Sequence, residues 1–443
     1  MPLDLITRSA ARRWLLRCVL AALAAGLGSA GVLANDDDHE SRERHAMHWV
    51  TAWGTSQQPN TVPVVVTNAT LRLIARVTVP GEAIRIRIDN TFSASPLAIG
   101  AATVGPRQRL ALLAAGQLRP VTFNGNGSVV VPAGGSAISD AVEMRVDSQQ
   151  DLGVNLYLPG TNVSASQHGG AVTTSYRSAD GAGNLTADNT ATAFSGSLTT
   201  MPWLKAIDVM SVRSVSAVVA FGDSITDGTC NTLDANDRWH NVLSVRMDTE
   251  PRGDSGVARS TRDRYATKFA FVNEGIGGNT VLRASLSPPP DSIPGIERLE
   301  RDVLSHSGVS HVVLFMGTND IRREATAAGV IAGMQDIVQR IRARGIKVFG
   351  ATIIPRHNVP PAGTNTGWND AKTGIRNEVN RWMRTSRTFD AVLDFDRVVR
   401  DPGSPDLINP PYNCGDGIHP SPIGYYQMGK SVDLELFTVP RRR

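Results

Sequence analysis

Apolar and polar residues alternate with a period of two over much of the stretch from Trp49 to about Met210. Thr70-Leu71-Arg72-Leu73-Ile74-Ala75-Arg76-Val77 and Ala83-Ile84-Arg85-Ile86-Arg87-Ile88 carry the pattern most plainly. Such alternation predicts strands with one face in a core and the other polar. Val129-Val130-Val131 and Leu152-Gly153-Val154-Asn155-Leu156-Tyr157-Leu158 continue the series, with turn residues between, as at Pro80-Gly81 and Asn124-Gly125-Asn126-Gly127. Many short strands at this spacing predict an all-β, sandwich or jelly-roll-like domain over residues 48–205.

The pattern changes near Val212. Short apolar runs at Ser216–Phe221, Phe269–Val272, Val312–Met316 and Ile346–Gly350 are separated by stretches of helix length. One of these, Ala327–Arg344, repeats apolar residues at Val330, Ile331, Met334, Ile337, Val338 and Ile341, the spacing of one helix face. Strands alternating with helices predict a parallel sheet covered on both sides, an α/β domain over residues 212–437. In such sheets ligands bind beyond the carboxyl ends of the strands. The length of 443 residues agrees with more than one domain.

Charge changes the picture mainly at the N-terminus. The chain carries +4 overall, but residues 1–34 alone carry +3, from Arg8, Arg12, Arg13 and Arg17 against Asp4. The apolar run Val19–Leu33 follows, then Val32-Leu33-Ala34 with the small residues of a cleavage site. Residues 1–34 therefore read as a signal peptide and predict a periplasmic or extracellular protein. An uncleaved N-terminal anchor is the alternative, although the run is short and Gly-interrupted for a membrane span. Arg12-Arg13-Trp14-Leu15-Leu16 resembles a twin-arginine signal, with general secretion as the other route. Residues 35–47 read as a charged, solvated linker. The remaining chain is nearly neutral, and nothing in it points to a nucleic-acid partner.

Of three cysteines, Cys18 leaves with the signal. Cys230 and Cys414 then form a candidate disulfide between the segments near Ser224 and Asp416, with two free buried thiols as the alternative.

Each polar motif of the second half follows a predicted strand. Gly222-Asp223-Ser224-Ile225 follows the first, Asn273-Glu274-Gly275-Ile276-Gly277-Gly278-Asn279 the second, and Gly317-Thr318-Asn319-Asp320 the third. Asp416-Gly417-Ile418-His419-Pro420 precedes a last helical segment. In these four blocks, over roughly residues 212–435, the sequence resembles the SGNH (GDSL) hydrolases, a superfamily of esterases and lipases. The β-rich front half also resembles a region attached to some bacterial members. Ile225 stands where the family name has Leu, an apolar exchange. The resemblance implies a flavodoxin-like α/β/α fold, Ser224 as nucleophile, His419 as base and Asp416 as third member of the triad. It also implies oxyanion donors at the Ser224 and Gly278 backbone N–H and the Asn319 amide, and an ester substrate such as an acylated carbohydrate or a lipid.

The chemistry asks for the same residue types. A serine hydroxyl needs a base to take its proton, and imidazole titrates near neutrality. A carboxylate fixes the imidazole tautomer, and neutral donors stabilise the oxyanion. No metal or organic cofactor is required.

Blander readings stand beside these. Ser224 can be a turn serine, and Gly278 can serve only its turn, since the spacing fails the dinucleotide-binding fingerprint. Asp320 is expected to cap the next helix. Asp223 and Asp227 suit loop hydrogen bonding. His240, His306, His311 and His357 are the other candidate bases, none with a carboxylate at triad spacing beside a C-terminal block. Trp239 and Pro288-Pro289-Pro290 either line a pocket or pack. The reading from another functional class is a polysaccharide- or surface-binding protein with an idle hydrolase domain.

Overall fold

The computed structural model describes residues 46–59, 62–250, 268–356 and 367–437. The predicted signal peptide 1–34, nearly all of the predicted linker 35–47, and His357 lie outside the described residues. From Met47 onward the chain packs as one compact body.

The front region is antiparallel. β1 (Met47–Gly54), β2 (Ala69–Val77), β3 (Ala83–Asp89), β4 (Ala101–Arg109), β5 (Gln150–Leu158) and β6 (Leu204–Val212) are its long strands. One sheet runs β1-β6-β3 and then Ser136–Ile138. The second centres on β2-β5-β4, extended by shorter strands at Ser175–Arg177, Gly196–Leu198, Leu112–Leu113 and Arg119–Pro120. Leu71, Leu73, Ala75 and Val77 of β2 share one apolar cluster with Ile84, Ile86 and Ile88 of β3, so the two sheets bury a common core.

The polar faces of β2 and β3 are covered by other parts of the chain. Arg72 is fully buried: its guanidinium donates to Asn155 Oδ1 at 2.8 Å and to the carbonyls of Ala111, Asp188 and Thr190, and lies over the Phe194 ring. The 184–194 segment thus roofs the outer face of the second sheet, and burial pushes the Arg72 group down to about 10 despite the nearby Asp188 charge. On β3, Arg85 and Arg87 each bond Asp208 Oδ2 of β6 at 2.8 Å and reach Ser307 of the second half. Thr51 N donates to Ser307 O, so the first sheet backs directly onto the α/β region, and Phe271 N donates to Thr78 Oγ1 just after β2.

There, β7 (Val215–Gly222), β8 (Lys268–Gly275), β9 (Val309–Phe315), β10 (Lys347–Ala351) and β11 (Ala391–Leu393) form a parallel sheet in the order β8-β7-β9-β10-β11. This is the doubly wound, flavodoxin-like order, preceded by the β-rich region. Both faces of β7 are apolar because both are buried: Val215, Ala217, Val219 and Phe221 join one core cluster, Val218 and Ala220 the other. The helices are α1 (Ser224–Asp227), α2 (Trp239–Thr249), α3 (Gly295–Leu299), α4 (Thr318–Arg322), α5 (Ala327–Arg342), α6 (Asp370–Thr385), α7 (Phe395–Val399) and α8 (Pro422–Ser431). On α5, Val330, Met334, Ile337, Val338 and Ile341 make the buried face, and Thr326 caps the start by accepting Gly329 N. Trp239 is buried against Phe395, a packing role.

Candidate active site

Gly222 of β7 pairs in register with Gly275 of β8 and Phe315 of β9, so the three strands end level. A side chain on Gly222 would approach Phe315 O to 2.6 Å, which is why the turn into α1 takes glycine there. Ser224 opens α1, two residues beyond that end; Asp223 caps the helix by accepting Ile225 N at 3.0 Å. Burial raises the Asp223 carboxyl to about 6, against the pull of the Ile225 N–H and of the His419, Arg356 and Arg298 charges.

Ser224 Oγ lies 2.8 Å from His419 Nε2, and His419 Nδ1 lies 2.6 Å from Asp416 Oδ2. Asp416 Oδ1 accepts the backbone N–H groups of Ile418 at 2.8 Å and His419 at 2.9 Å. Burial would raise this carboxyl, but the hydrogen bonds from the His419 ring and from the two backbone amides outweigh it and bring it to about 2. Asn413 Oδ1 accepts Gly415 and Gly417 N–H, and Cys414 N donates to His419 O. Cys230 and Cys414 form a disulfide that joins this loop to the segment after α1.

On the other side, Gly278 has φ +72°, in the left-handed region that favours glycine. Asn319, second residue of α4, is buried and donates from Nδ2 to Asn279 O at 3.0 Å. Asp320 does not cap the helix as expected. Gly317 occupies the cap position, and the Asp320 carboxylate accepts Val281 N and Leu282 N, both at 2.9 Å. It fastens the Gly278 loop to α4, and burial raises it to about 7 in spite of those two N–H donors.

Two of the competing histidines are engaged elsewhere. His306 Nε2 lies 2.6 Å from the buried Glu274, and His311 Nδ1 lies 2.8 Å from Ser310 Oγ. Burial lowers His311 to about 4 and His240 to about 3. Pro288 and Pro289 lend their carbonyls to Arg323. A narrow polar cleft of about 50 Å³ between the front region and the α/β region, lined by Arg76, Arg107, His168, Arg238 and His240 among others, does not include Ser224 or His419.

One contact at the site comes from a residue that carries no sequence signal. His168, in the front region, lies 2.9 Å from Asp227 Oδ1 through Nε2 and 2.8 Å from Ser56 O through Nδ1. Asp227 ends α1, so the β-rich half braces the element that carries Ser224.

With three strand-end blocks, the Asp416–Pro420 loop and this relay in one place, the family can be named. Residues 220–427 match the GDSL-like lipase/acylhydrolase family. That stretch is a GDSL-like lipase/acylhydrolase domain. The family implies hydrolysis of ester bonds and hence an ester substrate. No curated protein matches the chain. Among solved structures, a carbohydrate acetylesterase from Sinorhizobium meliloti shares 19% identity and a TM-score of 0.34, over 48% of this chain and 94% of its own. An inhibitor-bound aryl esterase from M. smegmatis shares 20% and 0.36, over 48% and 94%. A member of the lipolytic G-D-S-L family from Veillonella parvula shares 17% and 0.32, over 49% and 95%.

Proposed function

We propose that this GDSL hydrolase is an exported serine esterase in which Ser224 attacks the ester carbonyl, His419 acts as base and Asp416 orients the histidine. The observation that carries the reading is the continuous relay from Ser224 Oγ through His419 to Asp416, at 2.8 and 2.6 Å. His419 Nε2 takes the serine proton as Oγ bonds to the carbonyl carbon, then gives it to the departing alcohol oxygen. The acyl-enzyme is opened by a water whose proton goes to His419 and on to Ser224. Asp416 accepts a hydrogen bond from Nδ1–H and stabilises the imidazolium.

The oxyanion is received by the Ser224 and Gly278 backbone N–H groups and by Asn319. An amide nitrogen has two hydrogens; one of Asn319 is held by Asn279 O, which leaves the other for the substrate.

Export is supported by the N-terminal signal pattern and by the disulfide. No helix among the described residues is long and apolar enough to cross a membrane. Export and the β-rich region favour an acylated external polymer, such as an acetylated polysaccharide, with lipids and short-chain esters as the alternative.

The test is hydrolysis of p-nitrophenyl acetate and of a long-chain ester by the mature protein beside Ser224→Ala and His419→Ala. Both substitutions should remove about 10⁶-fold of kcat without unfolding the protein. Wild-type turnover in either variant would end the assignment. A folded wild type that cleaves neither ester would favour the binding-protein reading.

A further inference from the structure

The oxyanion side of the site is held by charge that the catalytic blocks do not supply. Arg298 of α3 is 1% exposed. Its Nη2 donates to Gly222 O at 2.8 Å, at the end of the strand that leads to Ser224. Its Nη1 donates to Glu274 O at 2.9 Å, and its Nε to Asn279 Oδ1 at 3.0 Å. One guanidinium thus ties the ends of two adjacent strands to the side chain of the residue after Gly278. Planar, multidentate geometry of this kind is open to arginine and not to lysine.

Asn279 passes the constraint on. Its Nδ2 donates to Ser292 Oγ and Ile293 O, both at 2.8 Å, so Arg298 and these two groups fix its side chain. Its backbone carbonyl is the acceptor that orients the Asn319 amide.

The front region completes the network. Ser56 Oγ accepts from Arg298 Nη1 at 2.9 Å and donates to Glu274 Oε2. Lys205 Nζ, from β6, bonds Glu274 Oε2 at 2.9 Å and Asp302 Oδ1 at 2.8 Å, and Asp302 Oδ2 meets Arg298 Nη1 at 3.2 Å. Each of these side chains is buried, so each charge depends on its partners.

We propose that Arg298 is a positioning residue for the oxyanion donors, acting through Asn279 on Asn319, and that the β-rich front region anchors it through Ser56 and Lys205. The front region is then part of the catalytic apparatus and not an appendage to it. This rests on the ester-hydrolase reading, and it assigns a role that the four sequence blocks leave unfilled.

The experiment is a double-mutant cycle in the full chain, crossing Arg298→Lys with Asn319→Ala, read as kcat and KM on p-nitrophenyl acetate and as inhibition by a phenylboronate, whose tetrahedral adduct is anionic. Arg298→Lys should lower kcat by about 10- to 100-fold and weaken the boronate to match, with KM within about threefold. In the Asn319→Ala background the same change should cost less than about threefold, because its route of action is already gone. Equal losses in both backgrounds, or a folded Arg298→Lys enzyme with wild-type kcat, would overturn the proposal. If Arg298→Lys does not fold, Ser56→Ala takes its place in the cycle. A loss of kcat that shrinks in the Asn319→Ala background then supports the proposal, and equal losses or wild-type kcat overturn it. A wild type that neither turns over ester nor binds boronate would instead sink the ester-hydrolase reading itself.

Discussion

The loop carrying His419 is held from within, whereas the loop carrying Gly278 and Asn279 is held from outside. Within seven residues Asn413 holds the Gly415 and Gly417 N–H groups, Cys414 N bonds His419 O and Asp416 bonds His419, and one disulfide ties the loop down. The Gly278 loop depends on Asp320 from α4, Arg298 from α3, and through Arg298 on Ser56 and Lys205 of the front region. A site whose two sides have separate supports can lose one and keep the other. The base should remain aligned when the front contacts are cut, and the oxyanion donors should remain aligned when the disulfide is cut.

The largest effect expected on the base side alone is loss of the disulfide. Residues 230 and 414 are 184 apart in sequence, so closing that loop contributes up to about 5 kcal/mol on the chain-entropy model. Denaturant unfolding of Cys230→Ser/Cys414→Ser should show most of it; unchanged stability would mean that the loop supports itself. Next is Lys205→Met, which leaves Glu274 and Asp302 buried with fewer cations and should cost about 3–5 kcal/mol. A neutral outcome in thermal unfolding would remove the front region from the support of the oxyanion side. Asn319→Ala should then lower kcat about 10²- to 10³-fold with the fold intact, and a loss under tenfold would take the amide out of the oxyanion hole.

The smallest effect separates the two sides by sign. The Asp416 carboxyl titrates near 2 in the fold, below its ordinary value of 3.8, so its contribution is full above about pH 4 and is lost as pH falls through 2. The Asp320 carboxyl, raised to about 7, acts the other way: its contribution is full below about pH 4 and is lost as pH rises through 7. Unfolding free energies of Asp416→Asn and Asp320→Asn against wild type, followed from pH 2 to 8, should therefore diverge in opposite directions. Parallel curves would contradict the assigned environments.

This division also explains what the sequence made legible. The parallel strands were readable because burial on both faces leaves apolar runs such as Val218-Val219-Ala220-Phe221, and the four blocks were readable because each follows a strand end or lies within one short loop. Asp416 and His419 are three residues apart, so their pairing shows as spacing. The supports of the other side leave no such trace. Ser56 and Arg298 are 242 residues apart, and Lys205 and Asp302 are 97 apart. Charged residues in such positions read as solvated surface, and only the packing of the first antiparallel sheet onto the parallel one turns them into a buried network. The same cause hid the burial of Arg72 and the contact of His168 with Asp227. Asp320 departs from the expected cap because its carboxylate serves a loop some forty residues upstream and not its own helix.

The central claim, that Ser224 is the nucleophile, is tested most directly by treating the purified mature protein with a fluorophosphonate and mapping the adduct by peptide mass spectrometry. A single adduct on the peptide containing Ser224, absent in Ser224→Ala and strongly slowed in His419→Ala, is the result predicted. An adduct on another residue, or undiminished labelling of Ser224→Ala, would contradict the account.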